Sequence, residues 1–231
     1  MVAVHAGAPR IERALGARLR GLLSIAGGVA VGYVFMGLLP KMGAQTARIV
    51  AAAPESSEFF QFHLYLVALA GLLLYFVVDR YRARAPGGRG ILVFHGLAFA
   101  GYNALIGYLL EHLASHRAGY VPFVLLASVM ALHLFAIDHQ LRAWHGAAFD
   151  RVLRWVMAAA VLAGWLASRL WPVSEGTLAA WSSLLAGAIL INVFNEELPR
   201  DDRGSLPAFL CGVVAVVAVA AVFRTVSRGL G

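Results

Sequence analysis

Apolar residues fill long stretches of this chain, interrupted by short clusters of arginine, histidine and acids. The stretches lack the strict alternation of half-buried strands. Several run near twenty residues, the length at which a helix crosses the ~30 Å hydrocarbon core of a bilayer. The clearest is Ile91 to Leu110, ILVFHGLAFAGYNALIGYLL, which carries no formal charge. Similar runs cover about 21–40, 58–78, 120–138, 152–170, 177–198 and 206–223. The pattern predicts an all-α, polytopic membrane bundle of about seven transmembrane helices, one domain over residues 21–225.

The segments between the runs are polar and short. Residues 1–20 are not apolar enough to span; Arg10, Arg13, Arg18 and Arg20 alternate with Ile11, Leu15 and Leu19. That pattern predicts a basic amphipathic helix lying on the membrane surface. Pro40 is expected to close the first span, and 41–57 to form a polar connection. Gly28 and Gly32 make a GxxxG pair on the first span, and Gly96, Gly101 and Gly107 punctuate the third. Small residues of this kind let helix backbones approach closely in lipid.

Composition narrows the class further. Only 13% of the residues are charged, against roughly 25% in a soluble domain, so no extended soluble domain is expected. The net charge of +7 comes almost wholly from arginine. In a membrane protein such charge sets topology and meets anionic headgroups, so no nucleic acid is expected as a partner. Arginines gather at the N-terminus, at 80–90 and at 139–154, which places that side and the N-terminus in the cytoplasm. Arginine in place of lysine and the Ala/Gly richness suggest a GC-rich bacterial genome, hence a bacterial inner membrane. The single cysteine, Cys211, excludes an internal disulfide and a cysteine-cluster metal site.

Several polar residues fall inside apolar runs: His95, Tyr102, Asn103, His133 and Asn192, with Asn195, Glu196 and Glu197 in the last turns of the sixth run. In lipid such groups need partners or a cavity. At ~1.5 Å per residue, His95 and His133 lie at similar depth on adjacent antiparallel helices. Two readings stand. One is a metal or proton site from His95, His133, Asn192 and Glu196 in the inner half of the bundle. The other is a set of interhelical hydrogen bonds, each worth ~1 kcal/mol. A haem held by His95, His133 and His63 is disfavoured, because His63 belongs to the opposite side. No Gly-x-Ser-Gly nucleophile loop occurs, nor a dense histidine cluster of the di-iron hydroxylase kind, so no enzyme is expected.

Four stretches together resemble the ZIP family of divalent-metal transporters. SIAGGVAVGYVFMGLLPK resembles that family's Gly-rich second helix, and LVALAGLLLYFVVDR its third. AGYNALIGYLL resembles the fourth-helix motif H-N-x-x-[DE]-G, and LLAGAILINVFNEELPRD the seventh helix with its Leu-Pro end. ALHLFAIDH falls where the fifth helix, with H-x-x-x-E, should be. The resemblance covers roughly residues 20–225. It implies an eight-helix fold lacking its first helix, which gives seven spans with the N-terminus inside. Asn103 and His133 match the family's metal-binding positions. Tyr102 stands where a histidine would be, Ile106 and Ile137 stand where carboxylates would be, and Gly37 replaces the histidine before Leu-Leu-Pro.

The resemblance implies metal ion transport, with zinc or iron as substrate and no resident cofactor. The metal site would be degraded or rearranged, built from His95, Asn103, His133, Asn192 and Glu196. The alternative from another class is a non-transporting membrane scaffold or accessory subunit, packed against a second copy or a complex partner through faces such as Gly28/Gly32.

Overall fold

The computed structural model describes residues 1–52, 57–84, 89–115, 120–198 and 204–229. Among them every regular element is helical. The order is α1 Val2–Leu15, α2 Leu19–Tyr33, α3 Leu39–Ala52, α4 Ser57–Arg84, α5 Arg89–Ser115, α6 Tyr120–His145, α7 Arg154–Leu170, α8 Glu175–Asn192 and α9 Leu206–Gly229. Five helical stretches among the described residues are long and apolar enough to cross a membrane: Val2–Arg48, Phe62–Arg80, Gly90–Glu111, Phe149–Leu170 and Glu175–Asn195. Leu206–Ala221 is a shorter apolar helix.

Three helix pairs carry the bundle: α2 on α9, α4 on α8 and α5 on α7. Each pair crosses at two glycines. A Cβ on Gly28 would strike the carbonyl of Phe209, and one on Gly212 that of Ile25. Gly71 faces the Leu184 carbonyl and Gly187 that of Ala68; Gly107 faces Val161 and Gly164 faces Ala104. In every case the carbonyl lies three residues before the partner glycine. Lipid tails are as apolar as leucine, so burial from water does not drive helices together. Close backbone packing does, and only glycine allows it at these points. Gly32 opposes Val216 one turn beyond the Gly28–Gly212 contact, so α2 and α9 run parallel. Of the other third-run glycines, Gly96 meets only the Leu153 side chain, and Gly101 has open space where a Cβ would be.

Pro40 does not end the first helix. Its ring presses on the preceding turn and it has no N–H to return to Met36. The helix widens there into a π turn over Val34–Leu38 and continues as α3 to Ala52. The stretch expected as a polar connection at 41–57 is therefore helical through Ala52. Tyr33 lays its ring against Gly37, in the space a side chain at that position would need.

The N-terminal segment departs most from expectation. It does not lie outside the bundle: α1 packs on α6 and α7, with His5, Ala8 and Pro9 buried. His5 meets Asp138, and Glu12 meets His139 and Arg142, so α1 runs toward the C-terminal end of α6. Leu38 and Lys41 instead share a small cavity with Leu109, Leu110 and Met130, at the opposite end of α5 and α6. The chain has turned back between them. It does so at Gly16, whose φ of 48° is in the left-handed region that favours glycine.

Candidate functional site

The sequence of α1 explains why it enters the core. Met1 to Pro9 carries no charged side chain apart from His5, and most of its residues are small. The charges begin at Arg10 and continue with Glu12 and Arg13. The first half can leave water, while the second half holds its charges at the arginine-rich end of the bundle.

His5, Asn103 and Asp138 form the most enclosed polar cluster among the described residues, each 0% exposed. His5 Nδ1 lies 2.9 and 2.8 Å from the two carboxylate oxygens of Asp138. His5 Nε2 lies 2.9 Å from Asn103 Oδ1. The orientation of the Asn103 amide follows from its other contacts: Nδ2 donates to the Phe99 carbonyl at 2.9 Å and points at Met157 Sδ at 3.3 Å. Both ring nitrogens of His5 therefore face acceptors. Nε2–H donates to the Asn103 oxygen, and a single proton lies between Nδ1 and the Asp138 carboxyl group. Three helices, α1, α5 and α6, meet at this one ring.

A second cluster ties α1 down at the arginine-rich end. His139 Nδ1 lies 3.1 Å from Glu12 Oε1, and Arg142 donates to Glu12 Oε2 at 2.6 Å. Arg142 also grips Asp150 through two nitrogens, at 3.0 and 3.2 Å. These charge-assisted bonds join α1, α6 and the π turn Phe149–Leu153. The bonds to Glu12 and then Asp150 push the Arg142 guanidinium above its ordinary pKa.

The five residues expected to bind metal do not converge. His95 and His133 do not pair with each other. His95 donates from Nε2 to the Val78 carbonyl at 3.3 Å, and its Nδ1 lies 3.0 Å from His145 Nε2. His133 Nε2 lies 2.7 Å from the Tyr102 hydroxyl. The Tyr75 hydroxyl donates to Asn192 Oδ1. Glu196 stands in the π turn Val193–Glu197, and its side chain lies outside the described residues. Among the described residues no three of His, Cys, Asp and Glu gather as a metal would require. Asn103 alone of the five joins the His5 cluster.

His5 and Asp138 are the residues the sequence reading missed. Asp138 was expected at the exit of a span ending there. The helix instead runs to His145, two turns further, which leaves Asp138 inside. The signal for His5 was the uncharged run before Arg10, overshadowed by the arginines after it.

The tyrosine pairs give a graded test. Tyr75→Phe and Tyr102→Phe each remove one interhelical hydrogen bond and keep the ring. Each is expected to cost about 1 kcal/mol in reversible unfolding from mixed micelles. A loss several times larger at Tyr102 would mean that His133 belongs to a wider network.

None of the family models, curated proteins and solved structures compared with the chain matches it.

Proposed function

We propose that this chain is a seven-span, ZIP-related membrane protein of the divalent-cation transport class, with its cation site rebuilt around Asn103 and Asp138. The single observation that carries the reading is the buried carboxylate of Asp138, set across the His5 ring from Asn103. Divalent cations need compensating negative charge, and the carboxylate positions implied by the resemblance hold Ile106 and Ile137. Asp138, one residue beyond Ile137, brings a carboxylate to the same region. Ionisable groups buried at this depth commonly mark ion pathways. His133, His95 and Asn192, also wholly buried, supply further polar positions in the bundle. The arginine distribution supports a cytoplasmic side at the charged end of α1, and the use of arginine over lysine with the Ala/Gly richness supports a bacterial inner membrane.

The scaffold alternative has weaker support. The Gly28/Gly32 face that would dock a partner is occupied by α9 of the same chain.

Transport is tested by reconstituting the purified chain into liposomes loaded with a metal-sensitive dye, offering Mn²⁺, Fe²⁺, Co²⁺ and Zn²⁺ in turn. Saturable uptake of at least one ion is expected, reduced about tenfold or more by Asp138→Asn or Asn103→Ala in folded protein. Folded wild-type protein that moves none of the four ions would rule the reading out.

A further inference from the structure

Between the glycine-tied helix pairs the packing is looser. Gly71 and Gly187 fix α4 to α8, and Gly107 and Gly164 fix α5 to α7. Where α5 faces α4 and α8, small residues stand instead: Ala98, Gly101 and Ala188. Gly101 has nothing within 4 Å of where a Cβ would be. A cavity of about 600 Å³ is left between the three helices. It opens on the outer surface of the bundle, since Leu74 and Leu97 on its rim are 60% and 70% exposed. We propose that this groove is a lipid site: it takes one acyl chain of an anionic phospholipid, whose headgroup rests at the arginine-rich end of α4 and α5. The inference needs a chain that sits in a membrane and does not need cation transport.

The lining selects a hydrocarbon occupant. Two tyrosines stand on the wall, but the Tyr75 hydroxyl donates to Asn192 and the Tyr102 hydroxyl meets His133. The rest of the wall is almost wholly apolar. Ordered water needs about two to four polar partners and does not settle in such a space. A lipid tail does, and it gains dispersion contacts with fixed rings such as Phe94 and Phe99. The lining of α5 runs from Phe94 to Leu105, ~16 Å of helix rise. That is about half of the ~30 Å hydrocarbon core, the depth of one leaflet. A partner helix fits less well, because two turns of a helix ~10 Å across displace about 850 Å³.

Charge places the headgroup. Val78 and Phe94 bound one end of the groove, where His95 Nε2 donates to the Val78 carbonyl at 3.3 Å. Trp181 bounds the other end, edge-on to Tyr108 with ring centroids 5.0 Å apart. Beyond the first end, residues 80–90 include Arg80, Arg82, Arg84 and Arg89 and no acid. Arg82 follows Val78 by about one turn of α4, and Arg89 is the first residue of α5. A phosphate at that end also meets the N-terminal turn of α5, whose backbone N–H groups have no partner within the helix. Each arginine near the headgroups strengthens binding of an anionic lipid roughly fivefold.

The test is native mass spectrometry of the full chain from mixed micelles holding equal phosphatidylglycerol and phosphatidylcholine. One phosphatidylglycerol per chain is expected, favoured over phosphatidylcholine roughly twentyfold, the product of two arginines. Arg82→Gln/Arg89→Gln should bring the two lipids near parity. Gly101→Leu, which puts a side chain into the groove, should lower retention of both about tenfold. In parallel, phosphatidylglycerol brominated at mid-chain should quench tryptophan fluorescence, and Trp181→Phe should remove most of the quenched component. Equal retention of the two lipids by the wild-type chain would overturn the anionic assignment. Retention untouched by Gly101→Leu would put the lipid on the arginines alone and overturn the groove. Paired chains that carry no lipid would give the groove to a second copy and overturn it too. If Gly101→Leu does not fold, the quenching decides: a quenched component that survives Trp181→Phe overturns the groove.

Discussion

Gly107→Leu is expected to abolish the folded, monodisperse protein, while Gly101→Leu on the same helix leaves its yield unchanged. The two positions differ in what lies beyond the α-carbon. Even a Cβ at Gly107 would meet the Val161 carbonyl carbon at 3.0 Å and the Trp165 backbone nitrogen at 3.2 Å. These are backbone atoms of α7 and cannot rotate away. Gly164 makes the reciprocal approach to Ala104, so the two helices would have to separate along the whole crossing. Ordinary overpacking costs about 1–3 kcal/mol because side chains and backbone give way. Here the main contact of the pair is lost, against a total stability of roughly 5–15 kcal/mol. Gly101 is exposed, with no atom within 4 Å of where its Cβ would stand. Leucine there should even help, since glycine costs a helix about 1 kcal/mol relative to good helix formers. Size-exclusion chromatography of both variants in mild detergent checks the contrast. A Gly107→Leu protein that elutes like wild type would mean that the α5–α7 crossing is not what holds the bundle.

The architecture was legible where one physical cause dominates. The apolar runs at about 58–78, 91–110, 152–170 and 177–198 predicted helices that overlap the apolar helical stretches Phe62–Arg80, Gly90–Glu111, Phe149–Leu170 and Glu175–Asn195, because a helix satisfies its own backbone hydrogen bonds in an apolar setting. Gly28 and Gly32 were readable as a close-packing face. Their partner was not, since α9 lies at the far end of the sequence. Gly96, Gly101 and Gly107 look alike in sequence, yet only Gly107 lies at a backbone crossing.

The candidate site was legible in part, and the failures share a cause. Each came from ending an element at the first polar residue. Pro40 was expected to stop a helix, but a π turn absorbs it. Asp138 was expected at a membrane surface, but α6 continues to His145. Residues 1–20 were taken as one amphipathic unit because four arginines dominate their average. Nine nearly uncharged residues and a charged second half behave differently, and only the first part enters the core. His95 and His133 were correctly read as needing partners in lipid. Which partner each found, His145 or Tyr102, depends on helix rotation and tilt that sequence spacing does not contain.

Asp138→Ala and His5→Ala are each expected to destabilise the protein by about 3–5 kcal/mol, the usual result of removing one partner of a buried pair. Without Asp138, His5 keeps only the Asn103 oxygen as its ring's partner. Removing His5 takes away the partner that α1 brings to the buried Asp138 carboxyl group. The double variant His5→Ala/Asp138→Ala removes both partners, so it should lose less than the sum of the singles. The coupling should fall in the range of roughly 0.5–3 kcal/mol found for residues in contact, and at its upper end, because the pair is wholly buried. Reversible unfolding in mixed micelles, followed by circular dichroism for all four proteins, measures the cycle. Strict additivity would show that the two side chains do not act as a pair, and that the contact between α1 and α6 at this point adds nothing to stability.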